Sequence, residues 1–147
     1  MIVMDLNNAK KNEIAKRAGS LLNQGYHCSE AMLLVVGGAL LDEFSPQVLK
    51  ISTPFAGGIA CTYDDLCGAL TGGLMVIGGL FGRADAKKSD NRCMAVTKRY
   101  RDAFLQEFGW LNCCDLRERW RGKPGQEDCA ELVEKSAALL LEIISEE

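Results

Sequence analysis

The segment from Leu66 to Gly82 constrains the fold most strongly, because it runs for 17 residues without a charged side chain. That length is the lower limit for a helix that spans a bilayer. Six of these residues are glycine, which contributes little transfer free energy, and charged residues lie close to both ends. We therefore expect a helix buried inside a soluble protein and not inserted in a membrane. Asp64 or Asp65 can cap this helix, which should end near Phe81.

Small residues recur every four positions within this segment, as Gly68 with Gly72 and as Ala69 with Gly73. A face of small residues lets a second backbone come close. Because glycine costs up to about 1 kcal/mol relative to alanine in a helix interior, tight packing is the expected compensation. The pattern thus predicts a central helix against which other helices pack closely.

Helical spacing of apolar residues dominates the rest of the chain, and the alternating runs that indicate strands are nearly absent. The clearest helical stripes are Ile14, Ala18, Leu21 and Leu22; Cys93, Val96, Tyr100 and Phe104; and Val133, Ala137, Leu140, Leu141 and Ile144. Helix starts and stops are indicated at Gly25, Ser45-Pro46, Gly109 and Gly122 to Gly125. With 147 residues, 48% apolar and 25% charged, the chain has the size and composition of one globular domain. The sequence predicts an all-α fold, a single domain over residues 1–147 built as a bundle of five to seven helices around the central glycine-rich helix.

The charge argues against a nucleic-acid partner, because the formal net charge is −3 and proteins that bind nucleic acid are usually basic. Residues 87–123 carry ten Lys or Arg against five Asp or Glu, whereas residues 124–147 carry one against seven. We interpret the two segments as solvated faces of opposite sign, with an anionic partner for the basic segment as the alternative. Residues 1–11 lack the features of a secretory signal, which indicates a cytoplasmic protein with reduced thiols.

Four of the seven cysteines are predicted to lie in the first turn of a helix: Cys28, Cys67, Cys113 and Cys129. Asn112 and Asp128 are favourable N-cap residues directly before the last two. The unpaired N–H groups and the dipole at a helix start favour thiolate over thiol, and thiolate is the form that attacks disulfides and binds metals. Nearby carboxylates, such as that of Asp128, oppose this effect. The four residues are therefore the candidate catalytic residues.

The other three cysteines fit this pattern less well. Cys93 shares an apolar stripe and is interpreted as a core thiol, Cys61 as an auxiliary thiol in a loop, and Cys114 as a spare thiol. His27, the only histidine, precedes Cys28. It either supports a thiolate there or is a partly exposed turn residue.

Five segments carry a resemblance to a known family. They are Gly25-Tyr26-His27-Cys28-Ser29-Glu30-Ala31, Phe55-Ala56-Gly57-Gly58, Cys67-Gly68-Ala69-Leu70-Thr71-Gly72, Cys113-Cys114-Asp115-Leu116, and Cys129 with Val133 and Ala137. Together they resemble the C_GCAxxG_C_C family, whose members are described as redox-active because of four shared cysteines. The resemblance covers about residues 12–142. It implies that the shared cysteines are Cys28, Cys67, Cys113 and Cys129, although Cys114 leaves open which member of its pair is the shared one. His27 stands where the family often has asparagine, and Cys61, Cys93 and Cys114 are additions.

Three functions remain open at this point. The first is a redox protein, with thiol–disulfide oxidoreductase-like activity or electron transfer, whose four cysteines converge and whose redox partner is unspecified. In the second, the same four cysteines bind an iron–sulfur cluster or zinc, although the chain has no CxxC turn. The third is a structural or interaction domain in which the glycine-rich helix packs or forms a homo-oligomer and the cysteines are core residues. No phosphate loop, dinucleotide fingerprint or nucleophile–histidine set is present.

Overall fold

The computed structural model describes residues 6–147, and within them the chain forms seven helices and no strand. The helices are α1 (Asn8–Ser20), α2 (28–40), α3 (Pro46–Ser52), α4 (Gly68–Phe81), α5 (Asn91–Phe108), α6 (113–120) and α7 (Cys129–Ser145). Short 3₁₀ turns extend α1 over Leu21–Gln24 and α3 over Thr53–Phe55, and α2 and α6 contain π-helical turns at Leu33–Gly37 and Leu116–Trp120. The all-α prediction, with five to seven helices, is confirmed.

Local capping explains several helix boundaries. The hydroxyl oxygen of Ser45 accepts a hydrogen bond from the Val48 N–H at 3.3 Å, with a proline at the first helical position of α3. The carboxylate of Asp128 accepts one from the Glu131 N–H at 3.1 Å at the start of α7. Glycines in the left-handed conformation follow two helical runs, at Gly25 and Gly109. These boundaries lie where the sequence predicts them.

The predicted start of α4 is wrong. The helix begins at Gly68, with Cys67 as its N-cap residue, and not after Asp64 or Asp65. Residues 63–66 are instead held by hydrogen bonds to residues 112–114, far along the chain. These long-range bonds outweigh the local capping tendency of the two aspartates. The predicted end at Phe81 is confirmed.

The glycines of α4 allow close packing, as expected. A Cβ added to Gly72 would lie 2.7 Å from the Ser29 carbonyl oxygen, so α2 crosses α4 at backbone contact. A Cβ added to Gly73 would lie 2.5 Å from the ring of Tyr100 in α5. The N-terminal half of α4 is buried, and α2, α5 and α7 all pack against it.

One hydrophobic cluster joins the helices. The stripe of α5 is buried at Val96, Tyr100 and Phe104, while Cys93 is only partly buried. Aromatic rings continue this stripe edge to face, from Phe104 to Phe108 and on to Trp120. All five residues of the predicted α7 stripe are buried, and α7 packs along α1.

The oppositely charged segments meet where α5 lies beside the C-terminal end of the chain. Arg99 forms ion pairs with Glu146 and Glu147, and Arg92 pairs with Glu147. The basic and acidic segments thus partly neutralise one another within the molecule. Among residues 6–147, no helix combines the length and the apolar character that crossing a membrane requires.

Candidate functional site

Five of the seven cysteines line one cavity of about 300 Å³. They are the four candidates from the sequence together with one loop residue: Cys28, Cys67, Cys113, Cys129 and Cys61. All seven cysteines are free thiols. The expected convergence is therefore observed: residues spread over a hundred positions of the chain surround a single space.

Backbone pairing brings Cys67 and Cys113 together. The Cys67 N–H donates to the Leu111 carbonyl at 2.9 Å, and the Cys113 N–H donates to the Asp65 carbonyl at 2.9 Å. An isolated antiparallel bridge between Leu66 and Asn112 lies between these two bonds. The starts of α4 and α6 are thus fixed side by side, and both cysteines line the same cavity.

Gly68 determines where the sulfur of Cys28 lies. A Cβ at Gly68 would be only 2.2 Å from that sulfur and 3.1 Å from the Ser29 nitrogen. No larger residue fits between α4 and the start of α2. The Cys67-Gly68 pair therefore supplies one cavity thiol and the space for a second.

The start of α2 is anchored from both sides. The buried Ser29 hydroxyl donates to the Ser52 carbonyl at 2.9 Å. One carboxylate oxygen of Glu30 accepts from the His27 N–H at 2.9 Å, and the other accepts from the Thr53 hydroxyl at 2.8 Å. These bonds hold Cys28 as the first residue of α2.

Burial raises the pKa values of three cavity thiols. For Cys28, desolvation outweighs the lowering effect of a hydrogen bond from the Gly57 backbone. For Cys67, desolvation is the main cause and the neighbouring Cys28 adds to it. For Cys113, burial, followed by the charges of Cys28 and Cys129, raises the pKa to about 11, against the lowering effect of Arg117. The sequence left open the net effect of a helix start on these thiols. In the structure, the loss of water on burial outweighs the effect of the helix N-terminus, which favours thiolate.

Cys129 has a different environment. The Nη1 group of Arg121 donates to its sulfur at 3.4 Å. Asp128 directs its carboxylate to the Glu131 N–H and so caps α7 just before the thiol. The sulfur of Cys129 therefore accepts a hydrogen bond from a cationic side chain.

Two arginines of the cavity wall were not singled out in the sequence. Arg117 stacks on the ring of Tyr63, with its guanidinium carbon 4.1 Å from the ring centroid, and Arg121 lies one helical turn further on. Their spacing of four residues within the basic segment was the available signal. No aspartate or glutamate is among the residues that line this cavity.

The remaining candidates lie as follows. His27 is the exposed N-cap residue of α2 and lines the cavity. Cys93 packs partly buried against the hydrophobic cluster, outside the cavity, in agreement with a core thiol. Cys113 lines the cavity and its neighbour Cys114 does not, which identifies Cys113 as the cavity member of the pair.

The arrangement of the cavity thiols supports a metal centre less than it supports thiol chemistry. Throughout residues 6–147, no group of three or more His, Cys, Asp or Glu side chains is arranged so that it could hold a metal ion. The five thiols surround the cavity without forming a ready set of ligands.

The comparisons agree with the motif analysis. The model of the family described as "Putative redox-active protein (C_GCAxxG_C_C)" matches residues 26–143. Neither a curated protein nor a solved structure matches the chain. The family match includes all five cavity cysteines and most of the helices. The chain therefore belongs to the C_GCAxxG_C_C family.

Proposed function

We propose that the protein carries out thiol–disulfide exchange, with Cys28, Cys67, Cys113 and Cys129 as its redox residues and Cys61 as an auxiliary thiol. The observation that carries the proposal is the cavity itself, into which these five thiols converge from separate elements. A role in a reducing compartment such as the cytoplasm fits seven free thiols in a chain with its own hydrophobic core.

Cys129 is the best candidate for the attacking thiol. It is only partly buried, and the Arg121 guanidinium donates a hydrogen bond to its sulfur. In the exchange, the Cys129 thiolate attacks one sulfur of a disulfide, forms a mixed disulfide and releases the other half as a thiolate. A second cavity thiol then gives its proton to this first released thiolate and attacks the Cys129 sulfur. The other half of the substrate leaves as a thiolate and takes a proton from water. The substrate disulfide is reduced to two thiols, and the protein dithiol is oxidised to a disulfide.

Cys28 and Cys113 are the candidates for the second thiol. Both line the same cavity as Cys129. Their raised pKa values keep them protonated at neutral pH, so they are protected until the mixed disulfide forms.

The test is a count of thiols before and after mild oxidation. Protein purified without oxygen is treated with a small excess of a neutral disulfide, and its thiols are counted in denaturant. Two thiols should be lost per chain, and peptide mapping should locate both among the cavity cysteines. Cys93→Ser, which changes a thiol outside the cavity, should also lose two. Cys129→Ser should react far more slowly.

An unchanged thiol count in the native protein would reject the proposal in favour of a structural role for the cysteines. The same anaerobic sample distinguishes the metal alternative. Iron with sulfide, or zinc, in stoichiometric amount would indicate that the cavity cysteines are ligands.

A further inference from the structure

The cavity wall carries positive charge without a matching negative charge. Arg117 and Arg121 are partly buried, and neither lies within ion-pair distance of a carboxylate in residues 6–147. Five other arginines do form such pairs: Arg83, Arg92, Arg99, Arg101 and Arg119. Arg17 is exposed to solvent. The two cavity arginines are thus the partly buried ones without an acidic partner.

The contacts of these two side chains hold them in place and leave donor groups available. Arg117 presents the flat face of its guanidinium group to the ring of Tyr63. This stacking contact does not use the N–H groups at the edge of the guanidinium group. Arg121 uses one N–H on the Cys129 sulfur and one on the Arg117 carbonyl at 3.4 Å. A guanidinium group has five N–H donors, so both arginines can donate to a further acceptor.

Removing a cation partly from water is costly unless an anion replaces the lost hydration. Here no carboxylate of the described chain does so. Both guanidinium groups belong to the cavity wall, and that of Arg121 donates to the Cys129 sulfur. The rest of the wall is largely apolar, with Leu22, Leu116, Leu132 and Val133. At about 300 Å³ the cavity has the size of a small-molecule site and not of a protein interface.

We infer that the substrate is a small disulfide that bears a carboxylate, with Arg117 and Arg121 binding the carboxylate while Cys129 attacks the disulfide. This inference rests on the proposed thiol–disulfide exchange and specifies its substrate class. The chemistry balances as before: one S–S bond of the substrate is broken and one forms within the protein. One half of the substrate takes the proton of the second cavity thiol, and the other half takes from water the proton that Cys129 lost on ionising.

Three disulfides of similar length and different charge test the inference. Dithiodipropionate is anionic, hydroxyethyl disulfide is neutral and cystamine is cationic. Each rate of reaction with the reduced protein is divided by the rate of the same disulfide with a free small thiol, which removes differences in intrinsic reactivity. We expect the normalised rate of the anionic compound to exceed that of the neutral one at least about tenfold, and the cationic compound to be slowest.

Variants assign the preference to the two arginines. Arg117→Gln and Arg121→Gln should each remove most of the preference for the anionic over the neutral compound. Because that preference is a ratio, it is insensitive to a general change in Cys129 reactivity. Arg117→Lys should retain part of it. Arg119→Gln is the matched control, since Arg119 lies on the same helix but pairs with Asp115, and its ratio should be unchanged.

The outcomes separate this inference from the proposed function. Equal normalised rates for the anionic and neutral compounds, with the cavity thiols oxidised by both, would overturn the carboxylate site and leave thiol–disulfide exchange intact. No oxidation of cavity thiols by any of the three would overturn both. A preference that survives in both glutamine variants would overturn the assignment to Arg117 and Arg121.

Discussion

Gly68 is the residue on which the geometry of the cavity depends most directly. Its missing side chain is the space in which the Cys28 sulfur lies. The motif Cys67-Gly68 therefore has a steric meaning: the cysteine supplies a thiol, and the glycine lets a second thiol from α2 reach the same cavity.

We predict that Gly68→Ala lowers the free energy of unfolding by about 1–3 kcal/mol, because the new Cβ would lie 2.2 Å from the Cys28 sulfur and must displace it. Gly78→Ala on the same helix is the control, since a Cβ there meets nothing within 4 Å. It should raise stability by about 0.5–1 kcal/mol. Urea unfolding of the reduced proteins measures both. If Gly68→Ala and Gly78→Ala have the same effect, the steric role of Gly68 is wrong.

The raised thiol pKa values also predict how stability depends on pH. The folded state binds the protons of Cys28, Cys67 and Cys113 more tightly than the unfolded chain does. Their contribution to stability is fully present below about pH 8.5 and is lost as the pH rises through the raised values, about 11 for Cys113. The free energy of unfolding of the reduced protein should fall over this interval. Cys113→Ser should show a shallower fall, and an equal slope in both proteins would contradict the shift.

At the scale of elements, the loop before α4 has an unusual backbone. Residues 57–61 all have positive φ, including the non-glycine residues Ile59, Ala60 and Cys61, so the chain makes a left-handed turn. For residues with a Cβ this conformation costs roughly 1–2 kcal/mol each. The turn lies on the cavity wall, where Gly57 and Cys61 contribute to the lining, and strain of this kind is typical of functional sites.

We predict that Ala60→Gly raises the free energy of unfolding by about 0.5–1 kcal/mol, because glycine adopts the φ of 53° without the steric penalty of a Cβ. The gain is reduced by the greater freedom of glycine in the unfolded chain. Ala95→Gly, an exposed alanine within α5, is the control with opposite sign and should cost about 1 kcal/mol. Destabilisation by Ala60→Gly of the same size as by Ala95→Gly would mean that the turn is not strained.

Helix boundaries that are set by nearby residues could be predicted from the sequence. Boundaries that are set by residues far along the chain could not. Ser45, Gly109 and Asp128 act within one helical turn, so the sequence alone indicates the boundaries of their helices. The start of α4 was predicted too early, because residues 63–66 are paired with residues that follow Trp110. No local pattern contains that pairing.

The features of the candidate site can also be separated into those that a local pattern predicts and those that depend on distant contacts. The four cysteines could be selected because each lies at or next to a helix start, which is a local property. The direction of the shift in the pKa of Cys67 could not be predicted, because the burial that raises this pKa depends on helices that pack against the residue from elsewhere in the chain. The role of Arg121 was missed for a similar reason: its contact with Cys129 crosses the turn between α6 and α7.

At the scale of the whole molecule, the hydrophobic cluster and the cavity are built by the same helix contacts. The crossing of α2 and α4 at Gly72 forms part of the core, and the same crossing places Cys28 next to Gly68. Helix α7 contributes Val133 and Leu132 to both the core and the cavity wall. We therefore expect changes in the cavity to alter the free energy of unfolding of the whole protein.

We predict that oxidation of the cavity thiols raises the free energy of unfolding of the whole protein. A disulfide between Cys113 and Cys129 would close a loop of about 15 residues, and the lost entropy of the unfolded chain is equivalent to roughly 3 kcal/mol. A disulfide between Cys28 and Cys129 would close a loop of about 100 residues, and the equivalent value is roughly 4.7 kcal/mol. The observed gain will be smaller, because the sulfurs must move together to bond and some packing is strained. Urea unfolding of oxidised and reduced protein, in parallel, measures the difference. Cys93→Ser should show the same gain as the wild type, whereas Cys129→Ser should show none. A loss of stability on oxidation would mean that the cavity cannot accommodate a disulfide without disrupting the core.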